Sequence, residues 1–296
     1  MSPADGAGRP APSRPGPRAF VAGVMAGVLE HQSLGSSAQI AYYLLFATFP
    51  FLFTLASLLA FLPVPDLMGR LLGALGSVVP PAAVELMRDS VRRLVTHQRS
   101  GFFSVGLVVT LWAASNAADA IVQGLNRVHG LRETRPFWKT RGIAMLLAVG
   151  ASLLAVLGLL VLWFGSQVSG WWAARGGLGP LPVQVWDLAR WPLVLLLLIA
   201  AIDQLYFIGP AAALRWRWVT PGAVVAVLGW VAASLGFSLY VRHFGSYNAT
   251  YGSIGAVIIL LTWMYLTAFF ILLGAEINVG TGQGLPPAER RARAPR

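Results

Sequence analysis

Three carboxylates stand inside or at the end of long apolar runs: Asp119 in LWAASNAADAIVQGLN, Asp203 in LIAAIDQLYF and Glu276 in LLGAEIN. A charged group within a membrane span is costly, and by default it marks an ion path, a ligand contact or a buried pair. The most basic stretch of the chain, NRVHGLRETRPFWKTR, runs beside them with Arg127, Arg132, Arg135, Lys139 and Arg141. Carboxylates and guanidinium groups gathered at one membrane face would form an acid–base network around a polar cavity for an anionic headgroup or a coupling ion. Its candidate residues are Asp119, Asp203, Glu276, Asn116, Arg135 and Lys139. The same groups could instead lock helix ends together or snorkel to water. Asn116 and Ser115 precede Asp119 by about one helical turn, so the three share nearly one face. Interhelical hydrogen bonding explains that face more simply than ion coordination.

Other chemistry has little to stand on. The chain has no cysteine, and its four histidines are far apart in sequence, so no metal site and no thiol nucleophile is expected. It carries no glycine-rich phosphate loop, no serine nucleophile elbow and no HExxH zinc helix. The expectation is a protein that is not an enzyme and needs no cofactor.

The elements that must hold these residues are membrane helices. Of 296 residues, 56% are hydrophobic and only 11% charged, against about 25% charged in soluble domains. A span needs about 20 apolar residues rising ~1.5 Å each. Six segments qualify: 38–62, with Pro50 as an expected kink, then 102–125, 143–166, 191–208, 221–241 and 253–277. The predicted fold is therefore all-α, a six-transmembrane-helix bundle occupying residues 19–280. Residues 1–18 read as a disordered cytoplasmic tail without a signal-peptide h-region, and 281–296 as a basic cytoplasmic tail. A short surface or docked helix is expected from Ala19 to Ser33. Between the first two spans, Val84, Met87, Val91, Leu94 and Val95 lie opposite Glu85, Arg88, Asp89, Arg92 and Arg93. This is an amphipathic outer segment, too charged to span.

With both termini in the cytoplasm, about two thirds of the 22 Lys and Arg fall on the inner side, as the positive-inside rule asks. The net charge of +11 is then a matter of topology and anionic lipid, with no nucleic-acid partner expected. Gly222, Ala226, Gly229, Ala233 and Gly236 form a stripe at helical spacing that lets another helix approach closely. The partner is a helix of the same chain or, alternatively, a second copy in a homodimer. Trp171, Trp172, Trp186 and Trp191 read as interfacial anchors. Asn248-Ala249-Thr250 is taken as a chance glycosylation sequon.

Four blocks in order point to a family. The first is Tyr240, Phe244, Gly245, Tyr247, Asn248, Tyr251, Gly252 and Ser253, then Trp263, Tyr265, Gly274, Ala275, Glu276 and Asn278. It reads as a polar external loop leading into the last span. The second is AYYLLFATFPFL, with Ala41, Tyr42, Tyr43, Phe49 and Pro50. The third is Asn126, Arg135, Pro136, Phe137 and Trp138, and the fourth is Pro221-Gly222. Over residues 19–280 the chain resembles the YihY/BrkB family of bacterial inner-membrane proteins, some of which have carried the label ribonuclease BN. The resemblance implies six spans, cytoplasmic termini and the bacterial cytoplasmic membrane, and it is compatible with envelope or lipid transport. The ribonuclease label does not fit these residues. The expected function is transport of an anionic envelope lipid or solute, with membrane lipids as partners. The alternative is a non-catalytic scaffold of the cell envelope.

Overall fold

A computed structural model describes residues 16–59, 84–85, 88, 102–175, 181–212, 214, 216–243 and 246–283. The amphipathic outer segment lies outside these apart from three residues, of which Val84 is buried while Glu85 and Arg88 are exposed. The two tails, apart from the first and last described residues, also lie outside.

Seven helices account for most of the described chain: α1 Pro17–Glu30, α2 Ser33–Leu59, α3 Phe102–Val128, α4 Phe137–Arg175, α5 Leu181–Ile208, α6 Pro221–His243 and α7 Ser246–Asn278. A π-helical turn, Val279–Gln283, follows α7. Six of the helices, α2 to α7, are long and apolar enough to cross a membrane. The all-helical, six-span expectation therefore holds.

Local chemistry sets the ends. Helix α1 begins at Pro17, two residues before the periodicity predicts, because a proline suits the first turn, where its missing N–H is not needed. It stops at a corner where Gln32 takes a left-handed φ of 53°. Ser36 N–H then bonds Gln32 O at 3.0 Å to start α2. Helix α3 ends in a Schellman turn. Gly130 sits at φ 63°, its N–H reaches Arg127 O at 2.9 Å, and Leu131 N–H reaches Asn126 O at 2.8 Å.

Several spans outrun their predicted limits. The 39-residue α4 and the 28-residue α5 extend beyond the expected 143–166 and 191–208. Asp187 and Arg190, which precede the predicted start at Trp191, pair one turn apart at 3.4 Å inside the helix. The external loop expected at 247–253 is corrected: α7 starts at Ser246 and carries those residues as its first turns. Asn and Gly are poor helix formers, but propensity yields to a 33-residue helix that continues from them.

Consecutive helices pack as neighbours, and α7 also touches α1, α2 and α3. The core joins Ile40 of α2, Val122 and Leu125 of α3, Leu147 of α4, Leu205 of α5, Val227 of α6 and Leu272 of α7. Half of the apolar stretch of α3 is buried, against 11% of that of α4. Helix α3 is thus a central helix and α4 a peripheral one. The C-terminal ends of α3, α5 and α7 meet the N-terminal ends of α2, α4 and α6 at one end of the bundle, here called the basic end.

Candidate functional site

The basic end is stitched from loops. Asn126 Oδ1 accepts from Ala211 N–H at 2.7 Å, and its amide donates to Glu133 Oε2 at 3.0 Å. Arg135 grips Glu133 with Nε at 2.8 Å and an Nη at 2.7 Å, and the same Nη reaches Gly209 O at 2.9 Å. The loop between α3 and α4 is thereby tied to the end of α5. Hydrogen bonds from Arg135 hold the Glu133 carboxyl below its ordinary range, and this outweighs the opposing effect of burial.

Each candidate carboxylate has found a different partner. Asp203 is only 2% exposed. It accepts from Thr220 Oγ1 at 2.5 Å and Thr220 N–H at 3.2 Å. Thr220 caps α6, since its Oγ1 takes the Ala223 N–H at 3.1 Å. The same oxygen accepts from Asn278 Nδ2 at 3.0 Å, and Asn278 Oδ1 takes Gly222 N–H at 2.8 Å. Glu276, 4% exposed, accepts from Ser33 Oγ at 3.1 Å and lies 2.9 Å from His31 Nδ1. It fastens the α1–α2 corner to the end of α7. Asp119 is half-buried and accepts from Gln123 Nε2 at 2.8 Å, one turn along its own helix.

The expected acid–base network is therefore not formed among the described residues. Arg135 is already neutralised by Glu133, two residues away, and Arg127 donates to Ser36 Oγ at 2.8 Å. Arg141 donates to Asn116 Oδ1 at 2.7 Å and to Trp112 O at 3.1 Å, with its guanidinium 4.0 Å above the Trp112 ring. Asn116 thus serves an interhelical hydrogen bond, the simpler of its two readings. Arg132, Lys139 and Arg217 are exposed and pair with no acidic group among the described residues. Around them Trp138 and Trp218 are 82% and 79% exposed. Trp218 is edge-to-face with Trp216 at 5.4 Å, and Trp216 with Phe207 at 4.7 Å.

A model of the family described as "Virulence factor BrkB" matches residues 24–295. The chain belongs to the BrkB family. It is 37% identical over 248 residues to the ribonuclease-like protein YfkH of Bacillus subtilis, covering 84% of this chain and 90% of that one. It is 31% identical over 212 residues to the UPF0761 membrane protein YihY of Salmonella arizonae, covering 69% and 67%. A UPF0761 membrane protein of Chromohalobacter salexigens is 30% identical over 262 residues, 86% of this chain but 60% of that one. The chain thus spans about three fifths of the length of that relative. No solved structure matches. With this family and six apolar helices, the protein is a multi-pass integral membrane protein.

Within this BrkB protein the small-residue stripe packs largely inside the chain. A Cβ on Gly222 would strike Gly274 O, and one on Gly229 would lie 2.5 Å from the Phe270 ring. Ala226 lies beside Gly274, while Gly236 has open space. The Trp186 indole N–H donates to Gly165 O of α4 at 2.9 Å, which joins α5 to α4. The side chains of Trp171, Trp172, Tyr247, Asn248 and Tyr251 lie outside the described residues.

Sequence reasoning passed over Thr220, His31, Ser33, Gln123 and Glu133. The Thr-Pro pair at 220–221 was a readable cap signal, and Gln123 stands four residues after Asp119. Nothing local points from Glu276 to His31 or Ser33, more than 240 positions away.

Proposed function

We propose that this protein carries an anionic envelope lipid or solute across the bacterial cytoplasmic membrane. It takes up its cargo at the basic end, which faces the cytoplasm together with both termini. The supporting observation is a set of exposed cations, Arg132, Lys139 and Arg217, that pair with no acidic group among the described residues; they stand on the first turn of α4 and on two loops stitched together by Arg135 and Asn126. Aromatic side chains flank them, as at a headgroup boundary. A cation near an anionic surface contributes about 1 kcal/mol of attraction. Asp203 and Glu276 act here as fasteners of the basic end and do not touch cargo. The ribonuclease-like name of the Bacillus relative is not carried over, and no chemical step is assigned.

Native mass spectrometry from lipid particles tests the reading. A retained anionic lipid, lost in Arg132→Ala, Lys139→Ala and Arg217→Ala together, is the expected result. A second reading, a non-catalytic envelope scaffold, draws on the saturation of Asp203 and Glu276 by the chain's own donors. Absence of any retained lipid, with a stable dimer, would favour it.

A further inference from the structure

The open side of α3 changes character along its length. Near its start the exposed positions are Val105, Leu107, Val108, Val109, Leu111 and Trp112, a face suited to acyl chains. From residue 115 to residue 128 every position is buried except Asn116, Asp119, Gln123 and Arg127. These four recur at steps of three or four and so share one helical face. A face of amide, carboxylate, amide and guanidinium groups turned to lipid would leave polar groups unsatisfied and a charge in hydrocarbon, which membrane helices avoid.

The boundary is built. Arg141 of α4 lies where the face changes, bonded to Asn116 Oδ1 and Trp112 O and stacked on the Trp112 ring. On the other side the polar face runs to the basic end, where Arg127 is held by Ser36 of α2. The helix rises about 13 Å from Asp119 to Val128. Asp119 differs from the other two carboxylates. They are buried and bonded by other elements, whereas its hydrogen bond comes from Gln123 of its own helix, and it pairs with no cation among the described residues.

We propose that this face of α3 lines a water-filled vestibule, open at the basic end and closed by the Arg141–Trp112 stack, in which Asp119 is a site for a small hydrated cation. Water solvates Asn116 and Gln123 along the way, and the negative charge of Asp119 draws cations to its inner part. The vestibule does not depend on the anionic-cargo reading. Its test uses no cargo, so the two can fail separately.

Because the chain contains no cysteine, single thiols report access directly. Asn116→Cys, Gln123→Cys and Val108→Cys are reconstituted in vesicles and treated from the basic side with membrane-impermeant methanethiosulfonates of either charge. Labelling at 116 and 123 but not at 108 is expected, and protection of both 116 and 123 overturns the vestibule. Gln123→Cys keeps the Arg141 contact, so it remains informative if Asn116→Cys folds poorly. Adding Asp119→Asn to Gln123→Cys is expected to lower the ratio of cationic to anionic labelling rates about 25-fold, because an adjacent unit charge in water speeds one probe about fivefold and slows the other about fivefold. An unchanged ratio removes Asp119 as a cation site.

Discussion

At the scale of single residues, the Thr220 hydroxyl is fully used. It donates once, to Asp203, and accepts twice, from Ala223 N–H and the Asn278 amide, which is the whole capacity of a hydroxyl. Thr220→Val should lower the unfolding free energy by about 2 kcal/mol, combining a lost cap with an unsatisfied buried carboxylate. Thr220→Ser should stay near wild type in thermal unfolding in detergent, and an equal loss in both variants would contradict the assignment. Glu133 supplies a pH dependence. Its folded carboxyl lies below the ordinary value of 4.5, so its stabilising effect is fully present above that value and is lost as pH falls through the lower folded one. The gap in melting temperature between wild type and Glu133→Gln should therefore narrow as pH drops below about 4.5. A gap that is constant with pH would rule this out. Of these residues the sequence offered Asp203 and Arg135 but not their partners Thr220 and Glu133. A cap is signalled by neighbours, as Thr220-Pro221 is, whereas Asp203 meets Thr220 only because α5 and α6 end side by side.

At the scale of elements, α6 and α7 are joined along their length. Gly222 meets Gly274 at the basic end. Farther along, the Trp230 indole donates to Thr267 Oγ1 at 2.9 Å and the Trp263 indole to Ser234 Oγ at 3.1 Å. A methyl on Gly274 would meet Gly222 O, the Tyr206 hydroxyl and Ala226. These neighbours include backbone and cannot simply rotate away. Gly274→Ala should destabilise by about 1–3 kcal/mol. Gly236→Ala, in open space, should be neutral or stabilising by up to about 1 kcal/mol through helix propensity. Comparing the two melting temperatures checks this, and equal losses would sink it. The stripe itself was legible as a small-residue period. Its partner was not, because spacing alone does not say whether the facing helix belongs to the same chain. The first turns of α7 show the opposite limit: Tyr, Asn and Gly at 247–252 look like a loop locally, yet they continue the helix that follows.

At the scale of the whole molecule, apolar length carried most of the prediction, because hydrocarbon permits few alternatives to a helix. That is why the six spans could be read from composition while the wiring of the basic end could not. The molecule divides its polar residues by task. Asp203, Glu276, Glu133 and Arg135 hold helix ends and loops together, while Arg132, Lys139 and Arg217 remain open to the medium. On the proposed account that second group receives an anionic cargo on its way across the bilayer. The most direct measurement is movement of a fluorescent anionic phospholipid between leaflets of proteoliposomes containing the full chain. The account predicts protein-dependent movement of the anionic lipid that exceeds that of a zwitterionic analogue and falls at least tenfold in the triple variant Arg132→Ala, Lys139→Ala, Arg217→Ala. Folded wild-type protein that moves neither lipid above the protein-free rate would contradict lipid transport.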